Sequence, residues 1–302
     1  MGNRGWSYAD ILPYFKRSER RIGGGDDGTY RGREGEWTIT DIDRRDPLCD
    51  AFIDGAVGMG IPRNDDYNGA RQEGVGYFQR AIHKGRRVST ARAFLHPVMH
   101  RPNLEVRTDA HVQRLVFEGR RAVGVRFVQD GREVEIRARR EIVLSSGAIG
   151  SPHLLQISGV GPAKLLRQIG VPVVHDLPAV GENLADHYGV RMSARVKNHR
   201  TINERARGLS LVMEAANYAL RRQGLLAMSP SQVFVFWKSH PALEAADTQL
   251  IFTPGSYKDG KIAELDDYPG MTAAIWASRP QSTGYVRARS AAAGDKPAIQ
   301  PN

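Results

Sequence analysis

The sequence predicts an α/β fold, and three stretches carry that prediction. The first is Glu141 to Gly161, where Ile142, Val143 and Leu144 form a short apolar run of the kind a buried strand uses. Ser145, Ser146, Gly147 and Ala148 follow, small enough for another backbone or a ligand to approach closely. Ser151 and Pro152 then predict a helix start, with Ser capping and Pro at the first helical position. Leu154, Leu155 and Ile157 would face a core, and Gly159 would end the helix. The second stretch is a run of strands before it: Leu104–Thr108, Val112–Phe117, Ala122–Val128 and Val134–Ala138. Turns at Glu118-Gly119-Arg120 and Asp130-Gly131 separate them, and Asp-Gly is a strong hairpin signal. The third is the second half, where an amphipathic helix running from near Leu209 to Leu226 precedes four strands. These are Val233–Trp237, Thr248–Phe252, Met271–Trp276 and Tyr285–Ala288, expected to form a sheet with the helix across it.

The remaining elements are read in chain order. Ser7 is placed to cap a helix holding Tyr8, Ile11, Leu12 and Phe15, which Pro13 should interrupt. Gly23, Gly25 and Gly28 match G-x-G-x-x-G letter for letter. The charged run from Lys16 to Arg21 precedes them instead of an apolar strand, and Asp26 and Asp27 would oppose a phosphate, so a polar loop is expected. Trp37-Thr38-Ile39 reads as a strand, and Pro47 to Val57 as a helix ending in Gly58-Met59-Gly60. Asp65 to Gly69 is a turn, and Gln72 to Gln79 a loop with an edge strand. Gly85 to Leu95 begins as a loop and becomes a helix capped by Ser89 or Thr90. Gly161 to Gly170 is a short helix opened by Pro162 and closed by Gly170.

Composition narrows the function classes. The chain has 302 residues, 41% of them hydrophobic, enough for one large domain or two ordinary ones with a real core. No apolar run reaches the roughly 18 residues that a membrane span needs. The first residues carry no apolar signal region, and Trp6 stands where a myristoylation motif has Ser or Thr. Cys49 is the sole cysteine, so no intrachain disulfide can form. The formal charge is +10. The arginines are scattered among apolar and acidic residues, without a basic block or a nucleic-acid motif, so no nucleic-acid partner is expected. No metal-ligand set is expected either. Asp186-His187 has no G-x-S-x-G elbow to serve and reads as a polar pair closing a turn.

The order of residues in the first stretch adds a resemblance. Gly147, Ala148, Ser151, Pro152, Leu154, Leu155, Ser158, Gly159, Val160 and Gly161 are similar to a signature of the glucose–methanol–choline (GMC) family of flavin oxidoreductases. Further stretches resemble the family in the same order. They are Gly2 to Glu19, Gln72 to Gln79, Gly85 to Leu95, Leu177 to His187, Ser282 to Val286 and Pro297 to Asn302. The resemblance implies FAD as cofactor, with Val112 touching the adenine end through its backbone and Ser146, Gly147 and Ala148 beside the adenosine half. It implies hydride transfer from an alcohol CH–OH group to the flavin, with a small-molecule alcohol as substrate.

The same resemblance divides the chain. Residues 1–190 would be a partial FAD-binding domain of the two-dinucleotide-binding kind, with the small meander sheet 104–138 inserted. Residues 191–302 would be an incomplete substrate domain with a large mixed or antiparallel sheet. The family's G-x-G-x-x-G turn normally precedes the segment that opens this chain, and its catalytic His pair lies in a later segment. None of the nine histidines falls in a matching motif, so no catalytic residue is expected within the chain. The alternative to an alcohol-oxidising enzyme is therefore an inactive, truncated remnant without a working flavin site. Choline-type members place a carboxylate just after the Asp-His turn, where Tyr188-Gly189-Val190 stand here. That departure favours a primary or aliphatic alcohol. A cytoplasmic location, or one peripheral to a membrane, is the expectation.

Overall fold

The computed structural model describes residues 3–25, 28–261 and 264–302. The chain forms two compact units, one of Met1–Leu104 with Tyr188–Arg279 and the other of Glu105–His187 with Pro280–Asn302. These units are discontinuous in sequence, whereas the expected partition into cofactor and substrate halves is continuous and turns at residue 190.

The first unit is built on a five-stranded antiparallel sheet. Its order is Gly189–Arg195, Gly270–Ala277, Thr248–Thr253, Val233–Trp237 and Gly74–Tyr77. The continuous apolar run at 233–237 is explained by burial on both faces. Val233 and Val235 pack with Cys49, Ile53 and Ala56 of the Pro47–Gly58 helix. Phe234 and Phe236 point the other way, against Tyr67 and Phe78. Asp46 caps that helix by accepting the Leu48 amide at 2.9 Å, with Pro47 next, as the sequence implies. Phe52 stacks on Phe252 at 4.3 Å between ring centres, fixing the helix on the sheet.

Several expectations for this unit need correction. Pro13 does not interrupt the first helix, which runs Tyr8–Ser18 behind a Ser7–Asp10 capping box. Pro13 costs the bond to the Ala9 carbonyl, and the exposure of Ala9 lets solvent reach that carbonyl. The charged segment before Gly23 is a strand after all, Glu19–Ile22, parallel to Trp37–Thr40. Its charged side chains are met one by one: Glu19 takes a bidentate pair from Arg31 (2.6 and 3.0 Å), Arg21 pairs with Asp41, and Arg20 donates to the Thr38 hydroxyl. Bends follow it, and the next regular element among the described residues is the strand Trp37–Thr40, so the glycines sit in a loop as expected. Asp26 and Asp27 lie outside the described residues. Ser89 accepts the Arg92 amide at 3.2 Å, but what it opens is one wide turn, Ala91–Leu95, and a tighter one, His96–Val98. The second-half helix is Gly208–Arg221, not a helix to Leu226; Arg222 in a left-handed conformation (φ 56°) stops it. The edge strand Gly189–Arg195 was not expected, because its residues are exposed throughout and show no buried face.

The second unit contains the expected meander, His111–Glu118, Arg121–Gln129 and Arg132–Arg137, all antiparallel. Asp130 (φ 52°) and Gly131 (φ 72°) are both left-handed, which is the two-residue turn their identities call for. The Gly147–Ile157 helix packs on this sheet, with Leu115, Leu154, Ile157 and Ala288 as the core. Ile142–Leu144 is not a buried strand. It is irregular and forms no ladder, and Val143 is 80% exposed while Ile142 and Leu144 turn to the core. Leu104–Thr108 is likewise irregular. The helix begins at Gly147 instead of Ser151, since Gly147 at φ 80° turns the chain and Pro152 is tolerated inside. A small sheet of Glu182–Leu184, Gly284–Arg287 and Ala298–Gln300 completes the unit.

Candidate cofactor and substrate sites

The small residues 145–148 form the entrance to the Gly147–Ile157 helix, and Ser145, Ser146, Gly147 and Ala148 are all exposed. Ser146 occupies the cap position without a side-chain hydrogen bond, so the first-turn amides face outward uncapped. A side chain at Gly147 would meet nothing within 4 Å, leaving open space against the helix end. Such an end carries partial positive charge and free donors, suited to an anionic or polar ligand. Val112 lies on the His111–Glu118 strand, partly buried, beside an irregularity in register. The structure gathers Val112 and Leu144 into one apolar cluster and leaves Ser146, Gly147 and Ala148 on the surface.

What holds this helix is a residue the sequence reading passed over. Gln156 is fully buried. Its Nε2 donates to the carbonyls of Val180 (3.1 Å) and Val286 (3.0 Å), and its Oε1 accepts the Ala288 amide at 2.7 Å. Ser158 adds a second tie, accepting the Leu115 amide at 2.9 Å while donating to the Leu154 carbonyl at 2.6 Å. A lone amide between Leu155 and Ile157, on an apolar helix face, is the signal that could have found Gln156. Gly181 lies against the same knot at φ 86°, where a Cβ would stand 2.2 Å from the Val286 carbonyl oxygen.

The first unit holds a cavity of about 580 Å³, walled on one side by residues 78–82, which follow the edge strand Gly74–Tyr77. Residues 226–231 and Ile251 form its other side. Arg80 is buried there, paired with Asp43 at 2.7 Å and donating to the Ala227 carbonyl at 3.1 Å. Gln79 accepts from Arg31 at 2.9 Å and donates to the Asp65 carbonyl at 3.2 Å, fixing the wall to the 65–69 turn. Among the described residues no carboxylate lines the cavity, and Arg80 and Arg87 do.

Residues 1–189 match the family described as GMC oxidoreductase. The chain belongs to the GMC oxidoreductase family. It is 37% identical to the mitochondrial choline dehydrogenase of Mus musculus over an alignment 303 positions long that covers 100% of this chain and 50% of that protein. The crystal structure of pyridoxine 4-oxidase from Mesorbium loti superposes with a TM-score of 0.82 at 27% identity, covering 99% of this chain and 55% of that one. An FAD-dependent oxidoreductase from Chaetomium thermophilum, at 24% identity and a TM-score of 0.84, shares the fold over 98% of this chain and 59% of its own. The chain thus spans about half the length of the relatives it matches.

For a GMC chain, the residues at the helix entrance fit one end of FAD: small side chains, open space at Gly147 and uncapped amides. Gly23, Gly25 and Gly28 do not fit a pyrophosphate, because among the described residues no helix follows them to present amides. His187 donates its backbone amide to the neighbouring Asp186 carboxylate at 2.8 Å, and the expected turn is absent, because residues 185–188 form no turn and this bond joins adjacent residues. His199 contacts Asp46 at 3.0 Å, and that carboxylate also caps the Pro47–Gly58 helix.

Proposed function

We propose that this chain supplies the adenosine end of an FAD site and the substrate-side sheet of a flavoprotein that oxidises an alcohol CH–OH group. The observation that carries this reading is the exposed, uncapped helix entrance Ser146-Gly147-Ala148 in a GMC chain. Bound FAD would accept the hydride from the alcohol carbon. The chain's own part is to hold the adenosine against small residues, with Val112 at the adenine end, and to wall the substrate. A neutral primary or aliphatic alcohol suits the cavity better than a quaternary ammonium, since its described lining carries two arginines and no carboxylate. A second reading is a remnant without a working flavin site, favoured by the absence, among the described residues, of a helix directly after Gly28.

Titrating FAD into the chain and following the quenching of flavin fluorescence tests both readings. Ala148→Asp adds a negative charge near a helix N-terminus, which favours the helix but repels a diphosphate. The first reading expects saturable binding that weakens at least tenfold in Ala148→Asp, with an unchanged or higher melting temperature. Equal affinity of the two proteins overturns the assignment of the helix entrance. No binding by either supports the remnant reading. Turnover of a primary alcohol by the chain with an artificial electron acceptor would overturn the remnant reading.

A further inference from the structure

The Gly208–Arg221 helix is docked by its polar side. Ser210 accepts from Arg200 at 2.6 Å, and Glu214 takes Nε and Nη2 of Arg205 at 3.0 and 2.6 Å. Glu214 also accepts the Leu225 amide at 2.8 Å. These residues recur at the spacing of one helical face. The apolar residues lie away from it and are left in solvent: Leu209 is 75% exposed and Leu220 84%, with Val212 and Met213 between them more than half exposed. No residue of this helix is buried. An amphipathic helix normally buries its apolar stripe, and this one presents it.

The stripe is bordered by positive charge. Met213 and Ser210 also line a cleft of about 600 Å³ whose rim carries Arg44, Arg45 and Arg200, all exposed. The two carboxylates in that cleft, Asp46 and Glu214, are engaged by His199 and Arg205. Arg221 and Arg222 stand exposed at the helix end, Arg222 over the Tyr218 ring at 5.0 Å. A second copy of this chain would bring the same arginines face to face, and like charges oppose that pairing. An anionic surface meets both features at once.

We propose that the Gly208–Arg221 helix lies in the interface of an anionic lipid layer, with Leu209, Val212, Met213 and Leu220 among the acyl chains and the neighbouring arginines on headgroup phosphates. No helix among the described residues is long and apolar enough to cross a membrane, so the contact is a surface one. The arginines of the cleft stand beside the apolar stripe, so a lipid phosphate reaches them while its chains meet Met213.

The test is cosedimentation of the chain with vesicles of phosphatidylcholine alone or with one-third phosphatidylglycerol. The chain should partition to the phosphatidylglycerol vesicles and not to the neutral ones, and high salt should release it. Leu209→Ser combined with Leu220→Ser should weaken partition at least tenfold, since each leucine withdrawn from lipid removes a buried side chain. Arg221→Ala should weaken it about fivefold. These positions are exposed, so the variants keep the wild-type circular dichroism spectrum, which is recorded alongside. Three results overturn the proposal: no partition to anionic vesicles, partition indifferent to the leucine substitutions, or self-association that the leucine substitutions abolish while vesicles bind nothing.

Discussion

Gln156→Leu tests whether one buried amide orients the cofactor-side helix. The substitution keeps the volume but removes three hydrogen bonds, leaving the Ala288 amide and the Val180 and Val286 carbonyls without these partners. Val286 and Ala288 are buried and Val180 partly so, and water cannot readily replace what is lost. At about 1–3 kcal/mol for each stranded group, and less for the partly exposed one, the loss is about 3–5 kcal/mol. Hydrogen exchange read by mass spectrometry on peptides covering residues 147–157 and 284–300 reports it locally. A loss of that size corresponds to roughly two to three and a half orders of magnitude in protection. Gln156→Glu adds a pH arm. Its carboxylate still accepts the Ala288 amide but faces two carbonyls it cannot bond, so its folded pKa lies above the unfolded one. The folded state then binds more protons, and stability relative to wild type rises as pH falls towards the raised pKa. A drop in protection below tenfold for Gln156→Leu, or no gain for Gln156→Glu on acidification, would refute the reasoning.

Other expectations concern single positions. Gly181→Ala should cost more than 2 kcal/mol or prevent folding of the second unit, because its Cβ would meet the Val286 carbonyl and its φ is 86°; soluble yield and urea melts measure it, and a neutral effect would be inconsistent with the close approach. Glu214 has its pKa lowered: burial alone would raise it, but the Leu225 amide and Arg205 outweigh that. It therefore contributes stability above the ordinary value of 4.5, lost as pH falls through the lower folded value. Glu214→Gln should flatten that acid limb in a pH series of thermal melts, and an unchanged limb would place its origin elsewhere. Burial, then Asp46 and Asp50, push the Cys49 thiol pKa up, and the residue is fully covered. A thiol reagent should label it only as fast as the first unit opens, and immediate labelling in native buffer would contradict its burial.

Much of the candidate site was legible because its chemistry is local. A turn of Ser, Ser, Gly and Ala ahead of an apolar helix says that something approaches closely there, and the structure leaves those four residues open. The Asp130-Gly131 turn and the strands on either side follow from residue type and alternation alone. Gln156 was not legible, because a buried glutamine is defined by the partners 24 and about 130 residues away that it ties together. The cavity wall at 78–82 was not legible: Gln72 to Gln79 reads only as a loop with an edge strand, since the other side of the cavity comes from residues 226–231.

The sequence by itself determined the fold class, the meander, the central strand Val233–Trp237 and the family, all properties of short-range pattern and motif order. Tertiary structure alone decided three things. It left Ile142–Leu144 without a ladder, because a strand exists only when a neighbour takes its backbone bonds. It made a strand of the charged Glu19–Ile22, because Arg31, Thr38 and Asp41 meet its side chains one by one. And it turned the Gly208–Arg221 helix with its leucines outward: hydrophobic periodicity states that a helix has two faces, but Arg200, Arg205 and the Leu225 amide chose which face points in.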